Sequence, residues 1–284
     1  MLTLRTAYQD YLRGRGHELS PRSIGWMDQK LFGHLSDLLD IPLAEVTPRV
    51  CRERHEFLTR TSGKSSANGC LRIVKAVWND AARVDDSLPE NPVSRGVRLN
   101  RERPRDWALT LKELPGVWAA IDGTKNQGYR VAWTFLLLTG VRSHDCRSLR
   151  WQDIDDEGVA TFRCPKGGVD RKFYLPLPNV LRAELSGLYQ SSEYVFPTGS
   201  KTGYLSELRR TDQIPAPHAF RHSWRTLAVE AGLDLQTIMV AMNHSAPGAT
   251  WMYLSRANLT GHLREAMEKV ATLIVSYRGR SPNE

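Results

Sequence analysis

Apolar side chains recur at helical spacing through the first eighty residues. Thr3 is placed to cap a helix running to about Gly14, and Ser20-Pro21 sets a cap residue before a proline at the first helical position. Ile24, Met27, Leu31, Leu35, Leu38 and Leu39 then keep a period near 3.6. Thr47-Pro48 repeats the start signal for a helix carrying Val50, Phe57 and Leu58. A fourth helix opens at Ser65 or Ser66 and lines up Cys70, Leu71, Val74, Val77, Trp78 and Ala81. A helical bundle over residues 1–88 is the expectation.

The pattern breaks between Asp85 and Asp106, where Pro89, Pro92 and Pro104 alternate with Arg95, Arg98, Arg101, Arg103 and Arg105. Proline interrupts helices and like charges repel, so residues 89–106 are expected as an extended basic linker. A second domain over 107–284 begins with a capping-box spacing, Thr110 and Glu113, ahead of an apolar run. A helix from about Lys125 ends at Gly140. Val159–Cys164 and Arg171–Leu175 are β-prone, and the turn-like Pro-Lys-Gly-Gly-Val-Asp between them predicts a hairpin. Everything after Pro178 reads as mainly helical. The fold class is therefore mainly α with a small β-hairpin.

With 284 residues and 41 % apolar composition, the chain has material for two cores. Its longest apolar run, Val131 to Leu138 with Thr134 inside, falls far below the roughly 18–20 residues of a membrane span. The N-terminus lacks the apolar stretch of a signal peptide, so a cytoplasmic location is expected. Cys51, Cys70, Cys146 and Cys164 form no close pair, which favours free thiols over a zinc ribbon or disulfide framework. Net charge is +8: 17 basic residues face 13 acidic ones before Pro104, and 22 face 18 after it. A basic surplus in both halves suits a chain that touches nucleic acid with both, and equally an ordinary basic protein.

The candidate chemistry is scattered through the second half. In LLLTGVRSHDC, Arg142 follows the helix-ending Gly140, and Asp145 lies at i+3, spaced for a carboxylate that orients the guanidinium or for a plain helical ion pair. In PAPHAFRHSW, His218 and Arg221 share a face near a helix N-terminus, where the partial positive charge suits an anion. His222 is one step round the helix. His244 follows an apolar helical segment, and Tyr253 comes nine residues later. Several cations with one phenol suit an anionic substrate attacked by tyrosine.

These segments in order (TGVR-x-x-D, a lysine in a hairpin turn, H-A-F-R-H, then N-H and a tyrosine nine residues on) resemble the tyrosine recombinase, or phage integrase, family. The helical first domain and basic linker look like that family's core-binding domain. The resemblance implies that Arg142, Lys166, His218, Arg221, His244 and Tyr253 are catalytic, with Asp145 and His222 supporting. Lys166 fits the hairpin turn, and Lys172 sits close by on the second strand. The family often has glycine where Asn243 stands; asparagine tolerates left-handed backbone better than most residues.

The implied partner is double-stranded DNA, bound as a homotetramer on two sites, with accessory DNA-bending proteins a further option. No cofactor or metal is implied. Arg22, Lys64, Arg72 and Lys75 in the first domain, and Arg101, Arg103 and Arg105 in the linker, are candidate DNA contacts. The final apolar stripe, Leu263, Met267, Val270, Ala271 and Ile274, fits either a neighbouring subunit or its own domain. Two rival readings remain: an inactive recombinase-like regulator, and a metal hydrolase using His218, His222 and His244. His218 and His222 have i, i+4 spacing but no HExxH glutamate lies between them. The sequence leaves integrase and resolvase roles equally open, as it does the presence of an arm-binding domain.

Overall fold

A computed structural model describes residues 1–102, 107–165, 171–244 and 256–281. The chain divides into two compact units, residues 1–105 and 106–284.

The first unit is built on helices α1 (Leu4–Arg15), α2 (Pro21–His34), α3 (Pro48–Thr61) and α4 (Lys64–Ala81). Their starts follow the local chemistry: Thr3, Ser20 and Thr47 each accept a hydrogen bond from a backbone N–H of the first turn. The fourth helix departs from expectation. It opens at Lys64, one residue before Ser65, because Gly63 takes a positive φ of 84° and serves as the N-cap. Leu4, Leu31, Leu35, Cys51, Leu71, Val74 and Trp78 meet in one core. Phe57, one of the apolar positions read on α3, is exposed, while Cys51, His55 and Leu58 fill the interior.

The expectation of an extended linker fails over its first part. Asn91 caps a short helix, α5 (Pro92–Gly96), by accepting from the N–H groups of Val93 and Ser94. Pro92 stands at the first position, where its missing N–H does no harm. Val93 is buried in the first unit's core, and Arg52 Nε donates to the Gly96 carbonyl at 3.1 Å. Arg103 to Asp106 lie outside the described residues.

The second unit contains α6 (Leu114–Asp122), α7 (Gln127–Thr139), α8 (Ser143–Arg147), the antiparallel hairpin β1 (Val159–Phe162) and β2 (Phe173–Pro176), and α9 (Asn179–Ser186). It is completed by α10 (Pro217–Glu230), α11 (Leu235–Ala241) and α12 (Arg256–Val275). Hairpin register pairs Val159 with Pro176 and Phe162 with Phe173. The central α7 is buried from Val131 to Thr139 and packs against α10 and α12. The chain is thus mainly helical with, among the described residues, a two-stranded sheet. A second departure concerns residues 187–216, which carry no helix although the region after Pro178 was expected to be mainly helical. Glycine, proline, serine and threonine punctuate this stretch and satisfy their backbone in turns; Thr198 and Ser200, for example, both donate to the Tyr204 carbonyl.

The final stripe is settled in favour of the home domain. Leu263, Met267, Val270, Ala271 and Ile274 are all buried in the second unit's own core. Trp118 Nε1 donates to the Ile274 carbonyl at 2.9 Å, and Arg278 closes the end of α12 with ion pairs to Asp122 and Glu184. Cys51, Cys70 and Cys146 are buried free thiols, and Cys164 is an exposed one. Among the described residues no helix is long and apolar enough to cross a membrane.

Candidate active site

The site grows from the end of α7. Gly140 adopts left-handed backbone, φ 62°, and terminates the helix. A side chain there would meet Trp224 Cβ and Cγ at 2.7 Å, so position 140 demands glycine for conformation and for space. The chain turns at Val141 and delivers Arg142 as the N-cap of α8. One turn on, Asp145 is buried, with its carboxylate 3.9 Å from Arg142 Nη1. That distance is a charge contact and too long for a hydrogen bond. Arg142 Nη1 and Asp145 Oδ2 are both buried and have no hydrogen-bond partner among the described residues.

Arg221 comes from the first turns of α10, held there by Trp224, whose indole donates to the Leu138 carbonyl at 3.0 Å. The Arg221 guanidinium is buried and bonded to backbone: Nη1 donates to the Gly140 carbonyl at 2.9 Å, and Nη2 to the Met242 carbonyl. Nη2 also lies 2.9 Å from His244 Nε2. A guanidinium only donates, so that imidazole nitrogen accepts and the hydrogen sits on Nδ1. Burial first, and the Arg142 charge second, lower the Arg221 pKa to about 10. His244 is also held below the ordinary imidazole range, by partial burial and then by Arg221, Arg142 and Arg225.

The turn that presents His244 uses Asn243 at φ 48°, the non-glycine residue with positive φ among those described. The expected tolerance of asparagine for left-handed backbone is realised there. Its side chain also donates to the Arg171 carbonyl at 2.9 Å, tying the start of the second hairpin strand to the site. Lys172 packs over the Tyr174 ring, 5.3 Å from its centre. Lys166, expected in the hairpin turn, and Tyr253 lie outside the described residues.

His218 is exposed near the start of α10, edge-on to His222 at 4.6 Å and to Trp107 at 6.4 Å between ring centres. His222 is half-buried in the same aromatic group, 6.5 Å from Trp107. No three His, Cys, Asp or Glu side chains among the described residues gather as metal ligands would. The structure therefore unites Arg142, Asp145, Arg221 and His244 around the ends of α7 and α11. Sequence reasoning missed the carbonyls of Gly140 and Met242 that hold Arg221, since backbone acceptors carry no residue signature. It noted Gly140 only as a helix stop.

The first-unit candidates Arg22, Lys64, Arg72, Lys75 and Arg101 are all exposed. Arg103 and Arg105 lie outside the described residues.

A profile described as "Phage integrase family" matches residues 108–259. Tyrosine recombinase XerA of Thermococcus kodakarensis is 30% identical over 240 residues, spanning 78% of this chain and 82% of that protein. XerA of Pyrococcus furiosus is also 30% identical, over 78% of this chain and 81% of its own. Prophage integrase IntF of Escherichia coli is 25% identical, over 94% of this chain and 61% of its own. Among solved structures, a lambda integrase tetramer bound to a Holliday junction superposes with TM-score 0.69 at 17% identity, covering 89% of this chain and 78% of that one. The Tn1549 transposon integrase in complex with a circular intermediate DNA gives TM-score 0.69 at 16% identity, covering 99% and 96%. At these identities the structural likeness speaks for the fold.

Proposed function

The chain belongs to the phage integrase family of tyrosine recombinases, and from that premise we propose that it is a site-specific DNA recombinase working through a 3′-phosphotyrosyl intermediate. One observation carries the reading. Two guanidinium groups, Arg142 and Arg221, gather beside His244 with, among the described residues, one carboxylate at the site, Asp145. Like charges brought together and partly buried are unfavourable without an anion between them. A phosphodiester supplies one, and its pentavalent transition state supplies more negative charge.

The roles follow from chemistry. The Tyr253 oxygen attacks the scissile phosphorus, giving its proton to His218, because a phenol with pKa about 10 needs a base near neutral pH. The phosphorus–O5′ bond breaks, and Lys166 protonates the departing oxygen. The covalent link conserves the bond, so no ATP is consumed. Arg142 and Arg221 stabilise the non-bridging oxygens, with Asp145 keeping Arg142 in orientation. His244 has Nε2 engaged by Arg221, which leaves Nδ1–H as its donor to phosphate. A 5′-hydroxyl from a second strand then displaces Tyr253. Double-stranded DNA is the partner, a reading supported by the DNA-bound lambda and Tn1549 integrases, and the lambda integrase tetramer on a Holliday junction supports a tetramer on two sites.

The test is covalent trapping on nicked duplexes carrying candidate attachment sequences. The wild-type chain should give a protein–DNA adduct, and Tyr253→Phe should give none while duplex binding survives. Adducts that persist in Tyr253→Phe would overturn the choice of nucleophile. Wild-type binding without any adduct would identify a DNA-binding regulator instead. Arg142→Lys should also lose trapping, since a point charge cannot replace the planar fork.

A further inference from the structure

We propose that Asn68 is a positioning residue for DNA binding: from inside the first unit it clamps the arginine-rich segment against α4, so that Arg98 and Arg101 are ordered before DNA arrives. The proposal rests on the DNA reading above.

Asn68 lies fully buried in the apolar stripe of α4, between Ala67, Cys70 and Leu71. A buried amide is unfavourable unless its hydrogen-bonding capacity is met. A side-chain amide offers two N–H donors and an oxygen with two lone pairs. Here both N–H donors and the oxygen are engaged. Asn68 Oδ1 accepts from the Asn100 backbone N–H at 2.9 Å and lies 2.9 Å from His55 Nε2. Asn68 Nδ2 donates to the Asn100 carbonyl at 2.9 Å and to the Glu102 carboxylate. The side chain thus grips both backbone groups of one residue, as a neighbouring β-strand would.

Two further contacts extend the grip. Asn100 Nδ2 donates to Thr59 Oγ1 on α3 at 2.8 Å, and Glu102 pairs with Arg72 on α4 at 3.1 Å. Residues 97–102 are therefore fixed across α3 and α4, although they carry no regular secondary structure. Arg98 and Arg101 remain exposed on this segment.

An arginine-rich strand without such a clamp would be extended and mobile, and ordering it on a phosphate backbone would consume conformational entropy at the moment of binding. A segment ordered beforehand avoids that loss. Asn68 touches no surface, so any effect it has on DNA passes through the residues it holds.

The experiment measures full-chain affinity for a labelled random-sequence duplex across a salt series. Four proteins are compared: wild type, Asn68→Leu, Arg98→Ala/Arg101→Ala, and the triple variant. Asn68→Leu should weaken binding about tenfold, within the range for residues sharing one network. It should also flatten the salt dependence, because fewer phosphates are neutralised. In the background lacking both arginines, the same change should move affinity by less than about twofold. Equal weakening in both backgrounds, or none in either, overturns the proposal while leaving duplex binding and the recombinase reading intact. A wild-type chain that binds no duplex overturns both. Should Asn68→Leu fail to fold, amide exchange of Asn100 in the free wild-type chain decides. Slow exchange supports the clamp, and exchange that slows only on adding duplex overturns it.

Discussion

Arg221 shows how one side chain can be both scaffold and reagent. Two of its nitrogens are committed to the Gly140 and Met242 carbonyls, so its plane is set by the ends of α7 and α11 before any substrate binds. Its lowered pKa, about 10, still leaves it charged at neutral pH. Lysine in its place could satisfy only part of this geometry. Arg221→Lys should therefore reduce single-turnover cleavage by about 100-fold or more, the loss typical of one transition-state donor, with duplex affinity little changed. A variant retaining wild-type cleavage would remove Arg221 from the charge-stabilising role. His244 offers a pH signature. Above its ordinary value of 6.5 the ring is neutral in folded and unfolded chains alike and favours neither. Below that value the unfolded ring takes up a proton while the folded ring, with its lowered pKa, resists it, so stability falls with acidification until the folded ring also protonates. Denaturation of wild type and His244→Gln at about pH 7 and about pH 5 should show the larger acid loss in wild type; parallel behaviour would contradict the shift. The charged residues were legible because arginine and histidine at i, i+3 beside a helix start are visible as letters. Asn68 was not, although one polar residue among Ala67, Cys70 and Leu71 is a signal of the same kind.

Elements were legible wherever their ends were chemical. Ser20-Pro21, Thr47-Pro48 and the Thr110–Glu113 pair announce starts, and Gly140 announces a stop; each sits at or within a residue of the structural boundary. The failures share a cause. Around Pro92, proline was weighed as a breaker and Asn91 was not weighed as a cap, so α5 was missed. Beyond α9, local turn bonds outcompeted helix formation over residues 187–216. Gly140 carries the sharpest test at this scale. Alanine there must adopt φ near 62° and bring Cβ to 2.7 Å from the Trp224 side chain. A left-handed non-glycine residue alone costs about 1–2 kcal/mol, and the clash adds to it. Gly140→Ala should lower unfolding free energy by at least about 2 kcal/mol and also displace Arg142, reducing cleavage beyond what destabilisation explains. The terminal helix gives a second test. Because Leu263, Met267, Val270, Ala271 and Ile274 are buried at home, Met267→Ala should destabilise the chain by about 2–5 kcal/mol in chemical denaturation. A negligible effect, with a change only in self-association, would return that stripe to an interface between copies.

Across the whole molecule the surplus of eight positive charges says less than how those charges are used. Several arginines already face carboxylates of their own chain: Arg5 with Asp40, Arg15 with Glu18 and Arg49 with Glu53 at the surface, and the more covered Arg278 with Asp122 and Glu184. Arg278 also stacks over Trp118, 4.6 Å from the ring centre, so its work is structural. Arg22, Lys64, Lys75, Arg98 and Arg101 have no carboxylate partner among the described residues and stand exposed. The sequence counts both kinds alike, since pairing across dozens of residues is a property of the fold. Phosphate recognition depends on the second kind, because each neutralised phosphate releases condensed counterions and steepens the salt dependence by about 0.9 in a plot of log affinity against log salt. Arg22→Gln and Lys75→Gln should each flatten that slope by up to about one without changing melting temperature. Arg278→Gln should do the reverse, lowering melting temperature and leaving the slope alone. If Arg278→Gln flattened the slope as much as the exposed substitutions, DNA would be reading net charge and no defined surface, and the sorting of cations by their partners would lose its meaning.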